Sequence, residues 1–182
     1  MTIRETADAL LAHTALLQAL RPHDAAIVGS YAMDLMSWND LDIYVDIGEM
    51  SVEKWNALAA RVIMALQPVR IDGFCDAEKG SWFFGTELIF GGERWNIDIW
   101  GKTAQQIEAA LAQNRQLRAR FDADAAARDA MLQIKRGLIE RKMYGFDKGR
   151  VHFHSPEIYA AVLEKGVRSL EEFLGEETEK RL

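Results

Sequence analysis

The sequence predicts an α/β (α+β) fold: a small mixed sheet with flanking helices, followed by a C-terminal helical region. Three observations carry that expectation. Short apolar or alternating runs, the first of them Ala25–Val28, occupy the first hundred residues between helical patterns. Two β-rich runs, Trp82–Phe90 and Arg94–Trp100, are joined by Gly91-Gly92, a strong hairpin signal. Beyond Gly101 the pattern is helical throughout, so the chain divides into a core at 1–101 and a helical region at 102–182.

Taken in order, Thr2-x-x-Glu5 has the form of a capping box, and Ile3, Ala7, Leu10, Thr14 and Leu17 recur at helical spacing. The first helix is expected to reach about Leu20 and to stop before Pro22. Ala25–Val28 reads as a buried strand ending at Gly29, followed by a brief helix over Tyr31–Met36. Leu41–Ile47 alternates as a strand. Ser51 can cap a helix to about Gln67, with Trp55, Leu58, Val62 and Leu66 as its inner stripe. Val69–Phe74 is a further strand, and the glycine-joined hairpin follows. Thr103-x-x-Gln106 caps a helix to about Arg118, and another runs from Ala125 to Tyr144. Ser155-Pro156 opens a third, closed by Gly166, and Ser169-x-x-Glu172 opens a short last one.

Composition bounds the function. Of the 182 residues, 49% are hydrophobic and 27% charged, the balance of a folded globular chain. The net charge of −6 disfavours a protein that grips extended nucleic acid along its backbone. The single cysteine, Cys75, excludes an internal disulfide and a cysteine-based zinc site. The charged N-terminus lacks a signal-peptide pattern, and no apolar run approaches the roughly 18 residues of a membrane span. The expected location is the cytoplasm.

The chemistry concentrates in Asp40-Leu41-Asp42-Ile43-Tyr44-Val45-Asp46-Ile47. Strand alternation sends Leu41, Ile43, Val45 and Ile47 to one face and Asp40, Asp42, Tyr44 and Asp46 to the other. Asp40 and Asp42 then lie about 6.5 Å apart on the polar face, close enough to converge on one hard cation. An isolated Asp-x-Asp usually marks a solvated face, but two further features stand nearby. Gly29-Ser30 ends a buried strand where a helix begins, which offers a close backbone approach and free N–H groups for a phosphate. Asp98 sits between Ile97 and Ile99, on a strand whose charge needs a partner or solvent. If Gly91-Gly92 is a two-residue turn, counting back from it places Gly85 opposite Asp98, leaving room for a ligand.

Val28-Gly29-Ser30, nine residues, Asp40-Leu41-Asp42-Ile43, and later Ile97-Asp98-Ile99 together resemble the signature of the nucleotidyltransferase superfamily. The likeness covers Ala25 to Gly101 and is closest to small bacterial members such as the kanamycin and lincosamide nucleotidyltransferases. The resemblance implies that Asp40, Asp42 and Asp98 bind divalent metal, Mg2+ in a two-metal site, and that Asp98 also helps to activate the attacking hydroxyl. It implies that Gly29 and Ser30 contact the phosphates of a nucleoside triphosphate. The activity it implies is transfer of a nucleoside monophosphate to a hydroxyl of a small molecule or protein, with a homodimer or a partner protein as a further expectation. The rival expectation is a binding protein of the same fold that has lost catalysis, such as an antitoxin-type partner.

Other residues are weaker candidates. Lys135, beside the stripe of Met131, Ile134 and Leu138, is expected to snorkel to solvent, as is Lys102. His152 and His154 would share a strand face without a further metal ligand in view. Trp38, Trp82, Trp95 and Trp100 flank the site, with core packing as the expected role, and Asp46 is expected to be solvated.

Overall fold

The structure, a computed structural model, describes residues 1–145 and 152–179. The chain forms two compact units, Met1–Gln116 and Leu117–Leu182, and the boundary between them falls inside a helix.

The first unit contains α1 (Ile3–His13), α2 (Leu16–Leu20), β1 (Ala25–Val28), α3 (Gly29–Ala32), β2 (Asp40–Asp46), α4 (Val52–Leu66), β3 (Arg70–Asp76), β4 (Ser81–Phe90) and β5 (Glu93–Lys102), and it ends within α5 (Ala104–Ala123). The expected capping box forms, with Thr2 Oγ1 accepting from the Glu5 N–H and Glu5 returning to the Thr2 N–H. The first helix nevertheless breaks before Leu20. Thr14 turns its hydroxyl onto the Leu10 carbonyl at 2.8 Å and adopts extended backbone, which separates α1 from α2. The helix expected over Tyr31–Met36 is a single turn that starts earlier, at Gly29.

The five strands form one mixed sheet in the order β1-β2-β5-β4-β3. β2 and β5 run parallel, while the other three pairings are antiparallel. Gly91 and Gly92 both take positive φ, which a tight two-residue hairpin requires, and Phe90 faces Glu93 across it. One sheet face is apolar: Leu41, Ile43 and Val45 of β2, Ile97 and Ile99 of β5, and Phe84 of β4 are buried. The expected α4 stripe of Trp55, Leu58, Val62 and Leu66 belongs to the same core, with Leu10 of α1. Trp55 meets Phe84 edge-on at 5.4 Å and Trp82 at 5.6 Å, while Trp95 is fully enclosed, so Trp82 and Trp95 are core residues as expected. No helix among the described residues is long and apolar enough to cross a membrane.

The second unit begins in the last residues of α5 and continues through α6 (Ala125–Glu140), α7 (Ser155–Glu164) and α8 (Leu170–Glu179). Its core pairs Phe121 with Tyr159 and Phe153 with Phe173, both edge-on. Gly137 makes room for Leu170, whose side chain would meet any Cβ at that position. Three expectations change here. α6 stops at Glu140 instead of Tyr144. His154, not Ser155, is the N-cap of α7, and the Ser155 hydroxyl pairs with the Tyr144 hydroxyl at 2.6 Å. Lys135 does not reach solvent: it is 2% exposed, with its ammonium 5.0 Å from the Tyr144 ring, because the side of α6 that carries it is covered.

The strand that carries the aspartates is pinned by its apolar face. Leu41→Ala should lower stability by about 2–5 kcal/mol, whereas Met64→Ala on the exposed side of α4 should move it by less than about 0.5 kcal/mol, both read from urea unfolding midpoints.

Candidate functional site

The second sheet face holds the three predicted aspartates, and pairing across the sheet sets their neighbours. Val28, Asp42, Asp98, Gly85 and Asp72 form one row across all five strands. One repeat away lies the row Asp40, Asn96, Glu87 and Arg70. One repeat in the other direction lies Tyr44, Trp100, Phe83 and Phe74. Asp40, Asp42 and Asp98 are therefore neighbours on adjacent strands, and Gly85 faces Asp98 as the turn count required.

Each carboxylate is positioned by a specific contact. Gly29 has φ of +66°, and a Cβ there would strike Asp42 Oδ2, so only glycine allows the Asp42 carboxylate to lie against this backbone. Ser30 follows, 6% exposed, in the single turn of α3. Asn96 Nδ2 donates to Asp40 Oδ1 at 2.9 Å and to Asp98 Oδ1 at 3.1 Å, so one amide ties two carboxylates together. Burial raises the proton affinity of the Asp98 carboxyl above the ordinary carboxylate range; the Asn96 hydrogen bond opposes that rise, and the Asp72 charge adds to it. Burial also raises the Tyr44 hydroxyl, with the Asp42 charge contributing. Asn96 was not singled out from the sequence, although its place two residues before Asp98 on the same strand face was a readable signal.

Carboxylate oxygens on adjacent strands are a donor set suited to a hard cation, and Asp40, Asp42 and Asp98 supply it. Among the described residues, no group of three or more acidic, histidine or cysteine side chains is already drawn together as a cation cage. Here Asn96 holds two of the carboxylates, and Gly29 backs the third. His152 and His154 flank Phe153 and join no such group. Asp46 is half-buried, and its Oδ1 accepts the Gly48 N–H at 3.0 Å. Lys102 lies over aromatic rings instead of simply reaching water, with its ammonium 5.6 Å from Tyr44 and 5.3 Å from Trp100. Trp38 and Trp100 remain partly exposed.

A hollow of about 170 Å3 opens beside Asp98, lined by Gly85, Asn96, Phe83 and the charged residues Arg70, Asp72 and Glu87. A larger one of about 500 Å3 lies by β1 against Leu17, Leu20 and Leu111, away from the predicted site residues.

With this geometry in place, solved structures give the decisive comparison. The chain is similar to the Cid1 poly(U) polymerase solved with Mg and 3′-dATP, with a TM-score of 0.65 at 15% identity. The chain has the nucleotidyltransferase fold. A cytoplasmic RNA terminal U-transferase matches with a TM-score of 0.60 at 17% identity, and the non-canonical poly(A) polymerase complex GLD-2–GLD-3 with 0.54 at 12%. These matches cover 88%, 88% and 90% of this chain but 48%, 47% and 52% of the other chains, so it spans about half the length of the structures it matches. No protein-family model and no curated protein matches the sequence.

Two outcomes test this arrangement. Above its raised pKa, Asp98 carries a charge that the unfolded chain would leave in water, so the folded state is penalised as pH rises through that value. Asp98→Asn should therefore raise Tm near neutral pH, by about 2–4 °C for each kcal/mol recovered, with the gain shrinking in acid when Tm is followed by calorimetry across pH. Gly29→Ala should cost at least about 1–2 kcal/mol in denaturant unfolding, from the left-handed backbone alone.

Proposed function

We propose that the protein is a divalent-metal-dependent nucleotidyltransferase that moves a nucleoside monophosphate from a triphosphate to a hydroxyl of a small molecule or protein. One observation carries this reading: the register that sets Asp42 beside Asp98 and Asp40 beside Asn96, on the polar face of a nucleotidyltransferase fold. It is supported by the backbone of Gly29 lying directly against Asp42, where a side chain would collide.

In this reading Asp40, Asp42 and Asp98 hold magnesium, which when bound stabilises charge on the attacking and leaving oxygens of an in-line displacement. The Gly29 and Ser30 backbone seats the phosphates. The acceptor hydroxyl oxygen attacks the α-phosphorus, and the bond from that phosphorus to the oxygen bridging to the β-phosphate breaks. The electron pair leaves with pyrophosphate, and Asp98 takes the hydroxyl proton. Asn96 is a positioning residue, because its amide orients Asp40 and Asp98 together. The small bacterial subtype, resembling the kanamycin and lincosamide enzymes, and a cytoplasmic location complete the proposal.

Calorimetric titration of a non-hydrolysable ATP analogue, with and without magnesium, tests it. Wild-type protein should bind only with magnesium, Asp42→Asn should lose that binding, and Asn96→Ala should weaken it about 10–100-fold. Wild-type protein without magnesium-dependent binding would overturn the reading and favour a non-catalytic binding protein.

A further inference from the structure

The turn that carries Gly29 and Ser30 is too short to hold its own shape. α3 spans only Gly29–Ala32, and no side chain caps its start. A single helical turn fixes several torsions for one hydrogen bond, so in isolation it is unfavourable. The Met33 N–H donates to the Gly29 carbonyl at 3.2 Å, and the Leu35 N–H to the Ser30 carbonyl at 2.8 Å. The placement demanded of this turn is nevertheless tight. Val28 pairs with Asp42 across the sheet, and the Gly29 backbone lies so close to the Asp42 carboxylate that a Cβ would collide with Oδ2.

What holds the turn comes from the first helix. Arg4 and Asp8 stand one turn apart on α1, and Arg4 Nε donates to Asp8 Oδ1 at 3.1 Å. Together they engage Tyr31. Arg4 Nη1 donates to the Tyr31 carbonyl at 2.7 Å, and the Tyr31 hydroxyl donates to Asp8 Oδ1 at 2.8 Å. The guanidinium also lies 3.8 Å from the centre of the Tyr31 ring. Main chain, ring and hydroxyl of one residue are therefore all held by one side of α1. Arg4 Nη1 is 3.8 Å from Asp34 Oδ1 as well, where the chain leaves the turn with a φ of 57°. The Asp8 side chain is 52% exposed, and ion pairs so open to water add little to global stability. Their consequence is local: Tyr31 stands two residues from Gly29, so fixing Tyr31 fixes the backbone that meets Asp42.

We propose that Arg4, Asp8 and Tyr31 are positioning residues for the triphosphate site, through which α1 holds the Gly29–Ser30 turn against Asp42. This assignment rests on the nucleotidyl-transfer reading above and adds residues that lie outside its signature. Arg4 and Asp8 act through Tyr31, and Tyr31 acts through the turn. Their contribution is preorganisation: a turn already in place when the triphosphate arrives need not be ordered at the expense of binding.

Two measurements on the full chain test the proposal: amide hydrogen exchange over residues 29–36 without ligand, and calorimetric titration of a non-hydrolysable ATP analogue with magnesium. Arg4→Ala should speed exchange of the turn roughly 10-fold and weaken triphosphate binding about 10–100-fold. Tyr31→Phe, which removes only the bond to Asp8, should weaken binding about 2- to 10-fold. Arg4→Lys keeps the charge and a donor for the Tyr31 carbonyl but lacks the fork that also reaches Asp8, so it should recover part of the affinity. A separate variant distinguishes positioning from general stabilisation. Ala7, fully buried on α1, is outside the Arg4–Asp8–Tyr31 contacts, and Ala7→Gly should lower Tm while leaving triphosphate affinity within about 2-fold of wild type. Unchanged affinity in both Arg4→Ala and Tyr31→Phe would overturn the positioning role and leave the triphosphate reading intact. So would an affinity loss in Ala7→Gly equal to that in Arg4→Ala, because affinity would then follow stability alone. Absence of magnesium-dependent triphosphate binding in the wild-type chain would instead overturn the transfer reading, and the positioning role with it.

Discussion

The parallel pairing of β2 with β5 is the constraint on which the site depends. It sets Asp42 beside Asp98 and Asp40 beside Asn96, and so gathers onto one surface carboxylates from segments more than fifty residues apart. A slip of one residue would send Asp98 to the apolar face and Ile97 or Ile99 to the polar one. That error would bury a carboxylate among Leu41, Ile43 and the α4 stripe, so the core enforces the register the site requires. The stability of the hydrophobic face and the geometry of the polar face are thus two consequences of the same alignment.

The polar face is electrostatically costly, and several devices moderate that cost. Asn96 shares its amide between two carboxylates, and Arg70 engages both Asp72 and Glu87. Burial still holds the Asp98 carboxyl above its ordinary range, so part of the cost persists in the folded chain. A buried carboxyl that costs stability where it stands is the pattern expected where function and stability compete. Gly29 and Gly85 act in the same economy of space. Each lies against an aspartate that a larger residue would crowd, Gly29 against Asp42 and Gly85 against Asp98.

Asymmetry across this face also bears on specificity. Acidic and amide side chains occupy two rows, and aromatic rings with Lys102 occupy the next. A transferase must hold two substrates of different character within bonding distance, and adjacent rows of different chemistry are one way to do so. The fold alone does not settle the acceptor, since the solved structures that share it include RNA-directed enzymes.

Much of this was legible in the sequence wherever information is local. Alternation along β2 separated Asp40 and Asp42 from Leu41, Ile43 and Val45, and two glycines fixed the hairpin from which Gly85 could be counted to Asp98. Capping residues marked the starts of α1, α4 and α8 because a cap is a contact between near neighbours in the chain. Tertiary structure decided the rest. Lys135 is enclosed, Ser155 turns to Tyr144, and Asn96 reaches Asp40 on the neighbouring strand, each through partners that sequence spacing does not reveal. The sequence by itself determined which faces its strands and helices present and where its turns fall, because those follow from backbone periodicity and local hydrogen bonding. Only the fold decided that β2 lies beside β5 and how closely Asp98 and the Phe83 ring approach Gly85, because strand partners and close approaches are set by packing that local patterning does not encode.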